Sequence, residues 1–118
     1  MKKYIPRNLE ECFAELKKIL TKEQLEEFKT QKDHAVVHNH HLVLGLWIRD
    51  NWGLWDGSRL AKYFNDIGVF YPIYMSCIIL SSFHCHLNNK DIKPEEQMKH
   101  CQEYWSNMKA QYGKKAKL

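Results

Sequence analysis

The chain reads as an all-α domain, a single irregular bundle of about six helices. Three observations predict it. Cap residues stand ahead of apolar runs at helical spacing. Glycine or proline punctuates the ends of those runs. The strand-favouring residues, Val69 to Tyr71 and Ile78-Ile79, have no second strand pattern to pair with.

The elements follow in order. Asn8 with Glu11 forms a cap with a reciprocal partner three positions on, and Leu9, Cys12, Phe13, Leu16, Ile19 and Leu20 recur at helical spacing, predicting a first helix from Leu9 to Leu20. Thr21 and Gln24 repeat the capping pair and open a second helix that faces water except at Leu25 and Phe28. A third runs from Ala35 to Trp52, with Gly53 as its stop. Ser58 caps a fourth that carries Leu60, Tyr63, Phe64 and Ile67 and ends at Gly68. Pro72 opens a fifth through YPIYMSCIILSSFHCHLNN, apolar nearly all round and therefore the central, most buried helix. Pro94 opens the last, with Glu95 and Glu96 complementing its dipole, a stripe at Met98, Cys101, Trp105 and Met108, and Gly113 as its end. Residues 1–113 thus form one helical domain and 114–118 a basic flexible tail. The core is expected at Trp47, Ile78, Ile79, Phe83 and Trp105.

Composition narrows the function classes. With 118 residues the chain is long enough for one core, and 44% hydrophobic content is that of a globular protein. The net charge of +4 lies in the termini: without Lys2, Lys3, Arg7, Lys114, Lys115 and Lys117, the 12 remaining basic residues face 14 acidic ones. A phosphate-binding face needs its cations on a structured surface, so nucleic acid is not expected as a partner. The basic start MKKYIPRNLEE has no apolar stretch behind it, which predicts no membrane anchor and a cytoplasmic protein. Cys12, Cys77, Cys85 and Cys101 are widely spaced, and in a reducing compartment they read as small buried hydrophobes rather than disulfides.

Chemistry-bearing residues are few. On one continuous helix His34, His38 and His41 share a face, and FHCH at 83–86 or His100-Cys101 would be needed to complete a tetrahedral metal set. His34 and His41 are two turns apart and no paired-ligand signature is present, so no metal and no cofactor are expected. Ser58 lies in D-G-S-R and its cap role accounts for it; Cys85 lies between two histidines that point about 100° away on a helix. The glutamate pairs sit at helix starts or on wet faces.

The segment HLVLGLWIRDNWGLWDGSRLAKYFNDIGVFYP, followed by MSCIILSSFHCHLN, resembles a family of small bacterial domains of unknown function, also met in mobile elements. Their shared core reads His-x-x-x-Gly-x-Trp-Ile-Arg-Asn-x-Trp-Gly-Leu-Trp, with a Met-Ser-x-Ile-Ile-Leu segment, and Pro6 to Glu11 is similar to their leading element. The likeness spans Pro6 to about Trp105. It implies no established activity, and it points to His41, Gly45, Trp47, Arg49, Trp52, Trp55, Ser58 and His84. The chain departs from the pattern at Asp50, where relatives carry Asn, and in adding His38, His40 and Cys85.

Two function classes follow. The first is a protein-binding module of immunity or accessory type, presenting Arg49, Asn51, Trp55 and neighbours. The second is a small enzyme or ligand-binding domain in which His41, Arg49, Ser58 and His84 converge on a cleft. Arg49 is pivotal. It either pairs with a carboxylate such as Asp56 or Asp66, in which case Arg49→Ala costs about 3–5 kcal/mol, or reaches a cleft. Trp55, between Gly53 and Gly57, is the aromatic expected at the surface.

Overall fold

The computed structural model describes residues 4–116, without the side chains of His34 and residues 109–116. They form α1 (Leu9–Ile19), α2 (Lys22–Thr30), α3 (Asp33–His40), α4 (Leu44–Asn51), α5 (Arg59–Asp66), α6 (Pro72–Leu87) and α7 (Pro94–Ala116), with no strand among the described residues. The all-α bundle is as the sequence predicts, and Val69 to Tyr71 is a connection into α6.

Local chemistry sets most boundaries. The Asn8 side chain accepts the Glu11 amide hydrogen at 3.0 Å, and Thr21 and Gln24 form a full capping box that opens α2. Ser58 accepts the Ala61 amide hydrogen and starts α5. Gly53 has φ +62, a left-handed backbone that glycine adopts without strain, and it lets the chain turn after α4.

The sixth helix is the hub. Each of the other six packs against it, and Met75 to His84 is buried without interruption. Its apolar positions fill a core with Leu16, Phe28, Ile48, Trp52, Leu60 and Phe64, so Ile78, Ile79 and Phe83 lie where the sequence places them. The Phe83 ring meets Phe13 at 5.9 Å and Phe28 at 5.4 Å between centroids, joining α1, α2 and α6.

Five expectations are corrected. The stretch from Ala35 to Trp52 is two helices, because residues 41–43 break it. An unbroken helix would give the His41 carbonyl to the Gly45 amide; here that carbonyl accepts from Arg49 Nη2 at 3.3 Å. Trp47 is exposed rather than core, since α4 buries Gly45, Ile48 and Arg49 and leaves Trp47 at the edge, edge-on to the buried Trp52 at 5.8 Å. Trp105 is half-buried, and α7 continues through Gly113 to Ala116. Finally, Cys77 and Cys101 are joined in a disulfide while Cys12 and Cys85 stay free. Their separation of 24 residues is closed by the return of α7 along α6, which residue spacing alone does not reveal.

Candidate functional site

Arg49 is 7% exposed and held by neutral groups. Its Nη1 donates to Ser76 Oγ at 2.8 Å and its Nη2 to the His41 carbonyl, while Nε is buried with no partner. Neither Asp56 nor Asp66 pairs with it; the five ion pairs among the described residues all lie elsewhere. Burial lowers its pKa, opposed by the Asp50 carboxylate. Gly45 makes room for the head group: a Cβ there would come within 3.2 Å of Nη1 and 3.6 Å of Leu80. Beside this cluster the His41 ring packs edge-on against Trp105 at 5.1 Å and Tyr104 at 6.0 Å. Burial first, then Arg49 and His38, hold the His41 pKa below its ordinary value.

A second polar cluster surrounds His84 on α6. Its Nε2 lies 2.7 Å from the Gln31 carbonyl and its Nδ1 lies 3.2 Å from an Asp33 carboxylate oxygen. The same carboxylate takes both Lys90 contacts, at 3.0 and 3.2 Å, and that hydrogen bonding holds the Asp33 pKa below its usual range. Asp33 and His84 border a hollow of about 200 Å³ with Ser81, Cys85, Glu96, Gln97 and His100. A histidine that activates a nucleophile must accept a proton at the nitrogen facing it. Here Nε2 faces a carbonyl, which can only accept, and the Ser81 hydroxyl donates instead to Gln97 Oε1. Burial also raises the Cys85 thiol pKa, which disfavours the thiolate.

The remaining residues named from sequence lie apart from both clusters. Ser58 Oγ donates to the Trp52 carbonyl at 2.7 Å while it caps α5, and Asn51 Nδ2 donates to the Trp47 carbonyl at 2.9 Å. Trp55 is 56% exposed. The structure therefore brings His41 and Arg49 together and leaves Ser58 and His84 with separate partners; none of the other three lines the hollow at His84. Among the described residues no three of His, Cys, Asp or Glu gather to hold a metal ion.

The two most exposed large apolar side chains among the described residues stand at the helix break. Leu42 is 70% and Val43 77% exposed, with Leu46 and Trp47 beside them on α4. Val43, Leu44 and Trp47 face Ile19, Leu20 and Phe28 across a groove of about 330 Å³, whose polar residues are Gln24, Glu27 and His40. Sequence reading missed this surface, as it missed Gln31, Asp33 and Ser76. The one available signal was the run HLVLGLW, which carries more apolar residues than one helix face can bury.

Among the described residues no helix is long and apolar enough to cross a membrane. No curated protein and no solved structure matches the chain. A family model does match, over residues 5–87, from the segment before α1 to the last residue of α6. The chain belongs to the family described as Domain of unknown function (DUF6794).

Proposed function

We propose that this domain is a protein-binding module, a bacterial, cytoplasmic protein of immunity or accessory type, and that its binding face is the apolar ridge and groove at the α3–α4 break. The observation that carries this reading is the exposure of Leu42 and Val43, with Leu46 and Trp47, beside a groove lined by Ile19, Leu20 and Phe28. Clustered apolar side chains in water are costly, and a contiguous patch with a polar rim is typical of a protein interface. The break makes the surface, because in one straight helix these residues would not stand beyond the ends of two shorter ones. The partner class is protein rather than nucleic acid, since Gln24, Glu27 and His40 supply no concentrated positive charge.

The binding face lies apart from the Arg49 head group, which is buried. Site-specific photocrosslinking in the native host tests it. A crosslinker at Leu46 should capture one defined protein, the same residue placed at Lys62 should not, and Val43→Asp should abolish the capture while Trp55→Ala leaves it intact. Equal capture at Leu46 and Lys62, or full capture by Val43→Asp, would remove the ridge as the binding face.

A further inference from the structure

The last helix is joined covalently to α6. Cys77 on α6 is bonded to Cys101 on α7; one turn along, Ser81 donates to Gln97, and Gln97 Nε2 lies 3.4 Å from Cys85. Rising positions on α6 meet falling positions on α7, so the two run antiparallel. The strip of α6 under α7 thus includes the small side chains Cys77, Ser81 and Cys85, with the polar His84 beside Ser81 and Cys85. Two large apolar side chains of α6 point elsewhere: Phe83 to α1 and α2, and Leu80 towards Gly45 on α4.

The core has the same asymmetry. Among the described residues, Cys101 is the one α7 side chain in the buried apolar core; Met98 and Tyr104 pack at its margin. The family match ends at Leu87, the last residue of α6, so the matched unit is α1 to α6 without α7. Departure of α7 would uncover this strip of α6 and the margin where Met98, Tyr104 and Trp105 pack, but among the described residues it would take only Cys101 out of the fully buried apolar core.

We infer that the Cys77–Cys101 disulfide is a redox latch that fastens α7 over this strip of an otherwise self-sufficient α1–α6 domain, and that reduction by a dithiol releases α7 without unfolding the domain. The exchange balances as follows. One thiolate of the dithiol attacks a sulfur of the pair, and the other cysteine leaves as a thiolate and takes a proton. The second thiol of the reductant then attacks the mixed disulfide. The reductant departs as a disulfide, having given up two electrons and two protons, and Cys77 and Cys101 end as thiols. The pair is almost fully buried, at 1% and 0% exposure, so attack waits on local opening of α7. This shelters the latch from brief encounters with monothiols and makes a resolving dithiol the effective reductant.

The test is amide hydrogen exchange on the full-length protein, oxidised with glutathione disulfide and then treated with dithiothreitol, with the cysteine states read by intact mass after alkylation. Oxidised protein should show two alkylatable cysteines on denaturation, and reduced protein four. On reduction, exchange across residues 94–108 should quicken by more than about tenfold while α6 and α1 keep their protection. Re-oxidation should restore α7. Cys101→Ser should match the reduced protein without any reductant, and Cys85→Ser should match the oxidised wild type. Unchanged protection of α7 after both sulfurs are shown reduced would overturn the latch. So would equal loss of protection in α1–α6, or four free thiols after oxidation.

Discussion

Arg49→Met should leave the protein nearly as stable as the parent, whereas Arg49→Ala should destabilise it. The guanidinium makes two hydrogen bonds, to Ser76 Oγ at 2.8 Å and to the His41 carbonyl at 3.3 Å. Bonds to a charged group contribute about 1.5–3 kcal/mol each, so their loss costs about 3–6 kcal/mol. Against this stand the several kcal/mol of desolvation that a buried charge carries without a carboxylate bonded to it, and about 1–3 kcal/mol for the unpartnered Nε. Methionine removes both sides of this balance and keeps a stem against Gly45 and Leu80, so the net change should fall within about 1 kcal/mol. Alanine also removes the stem and opens a cavity, at a cost of about 2–4 kcal/mol, or roughly 8–16 °C in Tm for a domain of this size. Urea unfolding of the three proteins measures the differences directly. If Arg49→Met proves as destabilising as Arg49→Ala, the hydrogen bonds outweigh desolvation and this reasoning about Arg49 is wrong.

Ser58→Ala should cost about 1–2 kcal/mol, because the hydroxyl both caps α5 and donates to the Trp52 carbonyl; a loss below about 0.5 kcal/mol in urea unfolding would show that neither bond matters. Stability should also fall as pH drops from about 7.5 to about 5. Burial holds the His40, His41 and His86 pKa values below 6.5, so through this window the unfolded chain binds more protons than the folded one and acid favours unfolding. Glu11 contributes nothing to that loss. Its carboxylate, held at about 2 by Arg7 and then Tyr4, gives up its stabilisation only below its ordinary 4.5. A Tm flat across the histidine window would contradict the burial of these rings.

What was legible in the sequence was what neighbouring residues decide. Asn8, Thr21 and Ser58 cap helices because their side chains reach amides three residues on, and such spacing is visible in a string of letters. The buried run of α6 was equally plain, since an apolar segment of that length has one stable place in a small domain. The break at residues 41–43 was not legible. There Arg49, anchored on Ser76 27 residues away, donates to the His41 carbonyl, and Gly45 leaves space for it. The disulfide escaped for the same reason. The candidate site divided along this line: Trp55 stands on the surface as its glycine-flanked position suggested, whereas Arg49 turned inward because its partners come from another helix.

The break and the buried charge are one device. A helix that ran on through His41 would satisfy its own carbonyl and need no guanidinium; a chain that stops there needs a donor for that carbonyl, and Arg49 supplies it. Stopping there also turns Leu42 and Val43 into solvent. Arg49 therefore contributes to the conformation of the ridge more than to net stability, the trade expected where a buried polar group fixes one backbone arrangement against another. On the proposed reading, Arg49→Met should fold well and still lose the crosslinked partner, because the His41 carbonyl would return to the Gly45 amide and re-aim Leu42 and Val43. Retention of the partner by a stable Arg49→Met protein would separate the ridge from the charge beneath it.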